Sequence, residues 1–138
     1  MLIVFRLGHE KEKGRGHFNR CLILANVLKK KHRILFFFNK CENFFKKELK
    51  KNNLELIEKK YDLVDEINFL KSLNKSVKIK VIIKDSYHLN LNWEKKINSL
   101  FKLIVIDDRL KTSHHANLYI NYNYDKNYIK NRINLKSV

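Results

Sequence analysis

Residues 1–38, MLIVFRLGHEKEKGRGHFNRCLILANVLKKKHRILFFF, decide the fold of this 138-residue chain. The first five residues form a short apolar run, and positions 34–38 form a second one of strand length. Between them a polar, glycine-bearing loop reaches Gly16. Apolar residues then recur at helical spacing up to a lysine cluster that suits a helix C-terminus. This stretch therefore predicts a strand, a helix beginning at His17, and a second strand covered on both faces.

The same alternation continues to position 120. Helical spacing recurs around 44–49, 61–73 and 93–100, and apolar runs of strand length occupy 54–57, 79–83, 103–106 and 118–120. Alternating strands and helices predict the α/β class, with a Rossmann-like doubly wound parallel sheet. We expect one domain over residues 1–120. Residues 121–138 lack a clear period and are expected to form an irregular tail that starts a connection.

The chain is strongly basic, with 30 Lys and Arg against 14 Asp and Glu and a net charge of +16. Such a charge invites a nucleic-acid interpretation. However, Lys, Asn and Ile are all abundant, Pro is absent, and Gly is scarce, which is the bias that an A/T-rich genome produces. The lysines also cluster at helix ends and exposed faces. We therefore predict no nucleic-acid partner, although the positive field would attract anionic substrates.

Two cysteines, Cys21 and Cys41, are too few for a disulfide framework. No stretch approaches the ~20 apolar residues of a membrane span, and the N-terminus shows no signal-peptide pattern. We expect a reduced, cytoplasmic protein without a membrane span. Because Cys21 falls on an apolar helical face, it is expected to pack in the core.

Polar features follow four of the predicted strands. In an open parallel sheet, ligands bind outside the carboxyl ends of the strands, where loops enter helices. The features that fall there are Gly14-Arg15-Gly16-His17, Asn39-Lys40, Asp85-Ser86-Tyr87 and Asp107-Asp108. Their convergence predicts an active site at this edge of the sheet.

The first of these features has two glycines before a helix, which allow a backbone to approach a phosphate or sugar closely. It is not a dinucleotide fingerprint, because Asn19 stands where the third glycine would be, and no Lys-Ser/Thr pair follows to make a P-loop. At the helix start, the dipole disfavours charged His17 and leaves a neutral imidazole able to accept a proton. The alternative is a capping or merely exposed histidine.

The acidic features also admit two interpretations each. Asp85 and Tyr87 are placed to hold the hydroxyl or amide groups of a sugar, whereas Asp85 or Ser86 as a helix N-cap is the structural alternative. Asp107 and Asp108 form a pair suited to Mg²⁺ or to mutual pKa tuning. We favour a structural role, in which they cap the next turn or hold the loop backbone.

No metal site is predicted. The remaining histidines form no spaced set with cysteine or acid that indicates zinc; they are His9, His32, His88, His114 and His115. We expect His114 and His115 to lie on a loop, where adjacent side chains cannot face the same way. No cofactor is expected.

Three ordered blocks resemble a known family of UDP-sugar hydrolases. Residues 14–22, GRGHFNRCL, resemble its G-x-G-H-x-x-R-x-L signature. Asp85-Ser86-Tyr87 with Trp93-Glu94 looks like its D-x-Y…W-E stretch. Residues 105–108, with His114 or His115 and then Asn117-Leu118, look like its V-I-D-D…H…D-L stretch. The family is that of UDP-2,4-diacetamido-2,4,6-trideoxy-β-L-altropyranose hydrolase in pseudaminic acid biosynthesis, with spore-coat polysaccharide relatives.

The resemblance implies the N-terminal half of a GT-B fold, related to the MurG-type glycosyltransferases, with a second nucleotide-binding domain or chain as partner. It implies metal-independent, inverting hydrolysis at the anomeric carbon with release of UDP. By position, His17 is the implied catalytic base. The implied substrate-binding residues are Gly14, Gly16, Arg20, Asp85, Tyr87, Asp107 and Asp108. A departing UDP anion reduces the need for the second carboxylic acid of ordinary glycosidases.

Several positions depart from the family pattern. Arg6-Leu7-Gly8-His9 stands where the family carries Arg-x-Asp-x-Ser, Lys84 shifts Asp85, and Asn117 replaces an acid. The second domain of the implied fold is absent from these residues. A glycosyltransferase half, a basic nucleic-acid-binding module and an inactive truncated domain therefore stay as alternatives.

Overall fold

The computed structural model describes residues 1–8, 14–109, 112–121 and 133–135. Six parallel strands form one sheet in the order β3-β2-β1-β4-β5-β7, and β6 pairs in parallel with β8. The elements are β1 (Leu2–Leu7), α1 (Gly14–Leu28), β2 (Arg33–Phe38), α2 (Asn43–Lys51), β3 (Glu55–Glu58), α3 (Leu63–Ser76), β4 (Ile79–Asp85), α4 (Leu91–Asn98), β5 (Leu103–Ile106), β6 (His114–Ala116), β7 (Leu118–Ile120) and β8 (Ile133–Leu135). The predicted α/β, Rossmann-like parallel sheet is confirmed.

Both faces of the sheet are covered, because the strands alternate their side chains between two apolar layers. Ile3, Phe5 and Leu7 of β1 pack in the layer that contains Phe18 of α1 and Phe45 of α2. Leu2 and Val4, by contrast, pack in the layer of α3 and α4, together with Leu70, Trp93 and Ile97. The continuous apolar runs in the sequence thus correspond to strands buried on both sides.

The first helix begins three residues earlier than the sequence indicated. Gly14 to Gly16 lie in its first turn, so the prediction of a glycine-bearing loop reaching Gly16 is wrong. A β-carbon built on Gly16 would meet no atom within 4 Å, so the space beside this residue is open. Glycine adopts helical dihedrals at an entropic cost of about 0.5–1 kcal/mol relative to alanine. His17 is therefore the fourth residue of α1 and not its first.

Two further predictions need correction. His114 and His115 lie in β6 rather than on a loop, and β6 is too short to give a periodic signal. Ile133–Leu135 forms β8 within the segment expected to be irregular; His9 and the rest of 122–138 lie outside the described residues. Cys21 packs in the core as expected. In the part of the chain that is described, no helix is long and apolar enough to cross a membrane.

Candidate functional site

The carboxyl ends of the central strands are level with one another. Leu7 at the end of β1 pairs with Phe38 of β2 on one side and with Asp85 of β4 on the other. Asp107 follows β5 directly, and Val105 of that strand is in register with Lys84. The sheet therefore delivers the predicted polar segments to one edge, as parallel pairing requires.

His17 is joined to Asp85 at this edge. Nδ1 of the imidazole lies 2.5 Å from Asp85 Oδ1, and both side chains are buried, with 5% and 0% of their areas exposed. Arg20 Nη2 lies 2.8 Å from the same ring nitrogen but donates to Asp85 Oδ1 over 2.5 Å, and a carboxylate only accepts hydrogen bonds. We assign the tautomer in which Nδ1–H donates to Asp85, which leaves the basic lone pair of the neutral ring on Nε2.

Three side chains of α1 contact the Asp85 carboxylate. Arg20 Nη2 donates to Oδ1 over 2.5 Å, Arg20 Nε donates to Oδ2, and the Cys21 thiol donates to Oδ2 over 3.4 Å. Helix α1 places these side chains together, because Arg20 and Cys21 are three and four residues after His17 and residues at that spacing share a helix face. Burial, and then the charge of Asp85, raise the pKa of Cys21 well above its usual value, so this thiol is a donor and not a nucleophile.

Tyr87 forms the next part of the cluster. Its ring meets the His17 ring edge-on, with 4.6 Å between centroids, and its hydroxyl donates to Asp108 Oδ1. The guanidinium of Arg109 lies 4.2 Å from the centre of the Tyr87 ring. Burial and the bond to Asp108 raise the pKa of Tyr87 above its usual value, so the phenol stays protonated at neutral pH. The β4–α4 segment therefore supplies a neutral hydroxyl beside the imidazole.

A buried ionic network lies behind this cluster. Lys84 Nζ lies 2.6 Å from Glu94 Oε1, and His114 Nδ1 lies 2.8 Å from the same oxygen. The other nitrogen of His114, Nε2, lies 3.0 Å from Asp107 Oδ2. Asp107 in turn accepts from the backbone N–H of Arg109 over 2.8 Å, which fixes the turn after β5. The network thus connects β4, α4, β5 and β6 beneath the edge of the sheet at which His17 contacts Asp85.

The pKa values of the network follow from these contacts. Burial alone would raise the pKa of Glu94 and Asp107, but hydrogen bonds from His114, with Lys84 for Glu94 and Arg109 for Asp107, hold both below their usual range. Burial alone would lower the pKa of His114, yet its two carboxylate partners raise it. Burial lowers the pKa of Lys84 despite its pairing with Glu94.

The raised pKa of His114 predicts a pH-dependent stability. The stabilising contribution of the imidazolium is fully present below its ordinary pKa of 6.5 and is lost as pH rises through the higher folded value. Urea unfolding of the wild type and of His114→Gln, each across this pH range, isolates the contribution. We expect the gap between their free energies of unfolding to shrink as pH rises. A gap of constant size would contradict the assignment.

A second buried ion pair also lies on the face of the sheet that α3 and α4 cover, away from His17. Arg6, next to the end of β1, donates from Nε to Glu66 Oε1 over 2.8 Å and from Nη2 to Asn39 Oδ1 over 2.6 Å. Trp93 Nε1 donates to Glu66 Oε1 over 3.1 Å, and the Arg6 guanidinium stacks 4.4 Å from the Phe37 ring centre. Asn39 is therefore at the predicted edge but on the side away from His17.

The structure brings most of the predicted site residues together. His17, Arg20, Asp85, Tyr87 and Asp108 form one contact cluster, with Arg20 Nη1 3.8 Å from Asp108 Oδ2. Asp107 points into the ionic network instead, so the two adjacent acids have different partners. Ser86 is not the helix cap, because its hydroxyl accepts from His88 N over 3.2 Å while Asn90 caps α4. The favoured structural role of Asp107 agrees with these contacts.

The sequence did not single out the buried cations. Lys84 and Arg6 each lie near the end of a central strand whose other residues are mostly apolar. A charged residue in such a strand is the signal that was available, because a cation there must find a buried partner. Within the described ranges, no group of three His, Cys, Asp or Glu side chains is arranged to hold a metal ion.

Comparisons with known proteins identify the fold. No protein-family model matches the chain, and no curated protein matches it significantly. A solved glycosyltransferase from Rickettsia africae ESF-5 is similar in structure, with a TM-score of 0.61 at 13% sequence identity. The similarity covers 97% of this chain and 42% of that protein, so the chain spans less than half of the glycosyltransferase's length. At this identity the likeness shows a shared fold.

Proposed function

We propose that this chain is the half of a UDP-sugar hydrolase that activates water, with His17 as the general base. The observation that carries the proposal is the buried contact between His17 Nδ1 and Asp85, to which we assign the Nδ1–H tautomer with the basic lone pair on Nε2. A base oriented by a carboxylate is the arrangement that proton abstraction from water or a hydroxyl requires. The fold shared with a glycosyltransferase is compatible with a sugar-nucleotide substrate.

In the proposed reaction, Nε2 of His17 takes a proton from water as its oxygen attacks the anomeric carbon. The bond from that carbon to the diphosphate oxygen breaks, and its electron pair leaves with UDP. Asp85 stabilises the imidazolium that forms, and the neutral hydroxyl of Tyr87 lies against the sugar. Because water attacks from the face opposite UDP, the configuration inverts. The resemblance makes a diacetamido-trideoxy-hexose of surface-polysaccharide biosynthesis the proposed sugar.

The diphosphate is proposed to lie at the start of α1. The backbone N–H groups of a first helical turn have no partners within the helix and favour anions. Gly14 and Gly16 fall in this turn, and the open space around Gly16 allows close approach. Arg20, held against Asp85 and Asp108, places a cation nearby. A second nucleotide-binding domain or chain would complete the site.

A glycosyltransferase half is the second candidate, favoured by the name of the structurally similar protein. The two reactions differ only in the nucleophile, water or an acceptor hydroxyl. We expect incubation with the UDP-sugar, together with a nucleotide-binding half, to release UDP and free sugar in equal amounts. UDP release that needs an added acceptor sugar would favour transfer. Salt-sensitive duplex DNA binding that a UDP-sugar does not affect would favour a basic nucleic-acid-binding module instead.

A further inference from the structure

A cavity lies at the same edge of the sheet as His17 but on the face covered by α3 and α4. Its volume is about 290 Å³, at the lower end of the range for small-molecule sites. Arg6 and Glu66 are among its lining residues, together with Trp93. The His17 cluster and this cavity are separated by the β4–α4 segment, in which Tyr87 contacts His17 and His88 lines the cavity.

The charged lining residues of the cavity neutralise each other. Arg6 donates to both oxygens of Glu66, at 2.8 and 3.0 Å, and its remaining N–H groups bond Asn39 Oδ1 and the carbonyls of Leu7 and Phe37. Since every guanidinium N–H has an acceptor within the protein, the ion pair offers no unsatisfied cation to an anionic ligand. The charged lining is therefore a rigid, electrically neutral element.

The rest of the lining consists of two aromatic rings, two leucines, three asparagines and His88. Tyr61 is fixed by ring contacts with Phe37 and Phe69, at centroid distances of 6.0 and 5.4 Å. Trp93 is fixed through its indole N–H to Glu66. Asn39, Asn90 and Asn92 also line the cavity, and the amide oxygens of Asn39 and Asn90 accept from Arg6 and from the backbone of Trp93. Aromatic surface next to neutral donors and acceptors suits a ring with one apolar face and a polar rim.

We propose that this cavity binds a neutral, hydroxyl- or amide-bearing ring of monosaccharide size. Neutrality follows from the internally satisfied Arg6–Glu66 pair, size from the volume, and the ring from Tyr61 and Trp93. The site is separate from the His17 chemistry, and His17→Asn is expected to leave its binding unchanged. Absence of sugar binding in the cavity would therefore not contradict the proposed hydrolysis, and absence of hydrolysis would not contradict sugar binding.

The test is a titration followed by backbone amide NMR, using free glucose, galactose, N-acetylglucosamine and N-acetylgalactosamine as probes and inorganic phosphate as the anionic comparison. We expect at least one sugar to cause saturable shifts at Asn39, Tyr61 and His88, and phosphate to cause none there. Loss of one hydrogen bond, in Asn92→Ala, should weaken that binding by roughly threefold to tenfold.

Asn68→Ala is the matched control, because Asn68, like Asn92, is an exposed helical asparagine, and it does not line the cavity. It should leave the sugar affinity unchanged. Tyr61→Phe, which keeps the ring contacts, separates the hydroxyl from the aromatic surface. The proposal is overturned if no sugar shifts the cavity residues, if phosphate displaces the sugar, or if Asn92→Ala and Asn68→Ala bind equally.

Discussion

Glu94→Ala is expected to lower the free energy of unfolding by about 3–5 kcal/mol, because it breaks a buried ion pair from one side. The side chains of Lys84 and Glu94 are 2% and 1% exposed, so the ammonium would keep its burial and lose its nearest anion. His114 would lose the same oxygen, and the backbone N–H of His115 would lose its acceptor, Glu94 Oε2, at 2.7 Å. Urea-induced unfolding, followed by circular dichroism, measures the change.

Two companion variants make this measurement decisive. Glu55→Ala breaks the solvent-exposed pair with Arg33 and should have a much smaller effect on stability. Glu94→Gln keeps the shape and part of the hydrogen bonding, so it should fall between the wild type and Glu94→Ala and supplies a folded protein if the alanine variant does not fold. Equal effects of Glu94→Ala and Glu55→Ala would contradict a buried network beneath the site.

Asp85→Asn is expected to lower kcat for UDP release by about 10²–10⁴-fold while changing KM little. An amide in place of the carboxylate removes the charge that stabilises the imidazolium and weakens the preference for the Nδ1–H tautomer. Asp85 acts through His17, so its loss affects the chemical step more than substrate binding. Steady-state kinetics, with a nucleotide-binding half supplied, measure this split.

The control is Glu58→Gln, the same chemical change at a carboxylate that bonds Lys46 and the backbone of Cys41, outside the His17 cluster. Its kcat should stay near that of the wild type. Because Asp85→Asn also leaves Arg20 without a carboxylate partner at that position, its fold is checked by circular dichroism before kinetics. A folded Asp85→Asn protein with unchanged kcat would show that Asp85 does not orient His17 for catalysis.

The fold was largely predictable because it depends on local patterns. Continuous apolar runs such as 34–38 indicate strands that are covered on both faces. The helical spacing of apolar residues from Phe18 onward indicates that a helix connects the first two strands. The start of α1 was not predictable, since glycine tolerates both loop and helix. The three-residue strand β6 is stabilised by pairing with β8 rather than by its own sequence.

The site was predictable in its location but only partly in its connections. Parallel strands bring polar segments such as 85–87 and 107–108 to one edge whatever their identity. Pairings such as Arg6 with Glu66, separated by 60 positions, leave no local trace. In a chain with 30 Lys and Arg, the sequence does not distinguish Lys84 from the surface cations. The structure shows that Lys84 is buried.

A double-variant cycle on UDP release tests most directly whether His17 and Asp85 act as one base. The four proteins are the wild type, His17→Asn, Asp85→Asn and the double variant, each assayed with the UDP-sugar and a nucleotide-binding half. We predict that His17→Asn lowers kcat by at least as much as Asp85→Asn, and that the double variant loses little more than His17→Asn alone. Losses that multiply, or a folded His17→Asn protein with wild-type turnover, would contradict the account.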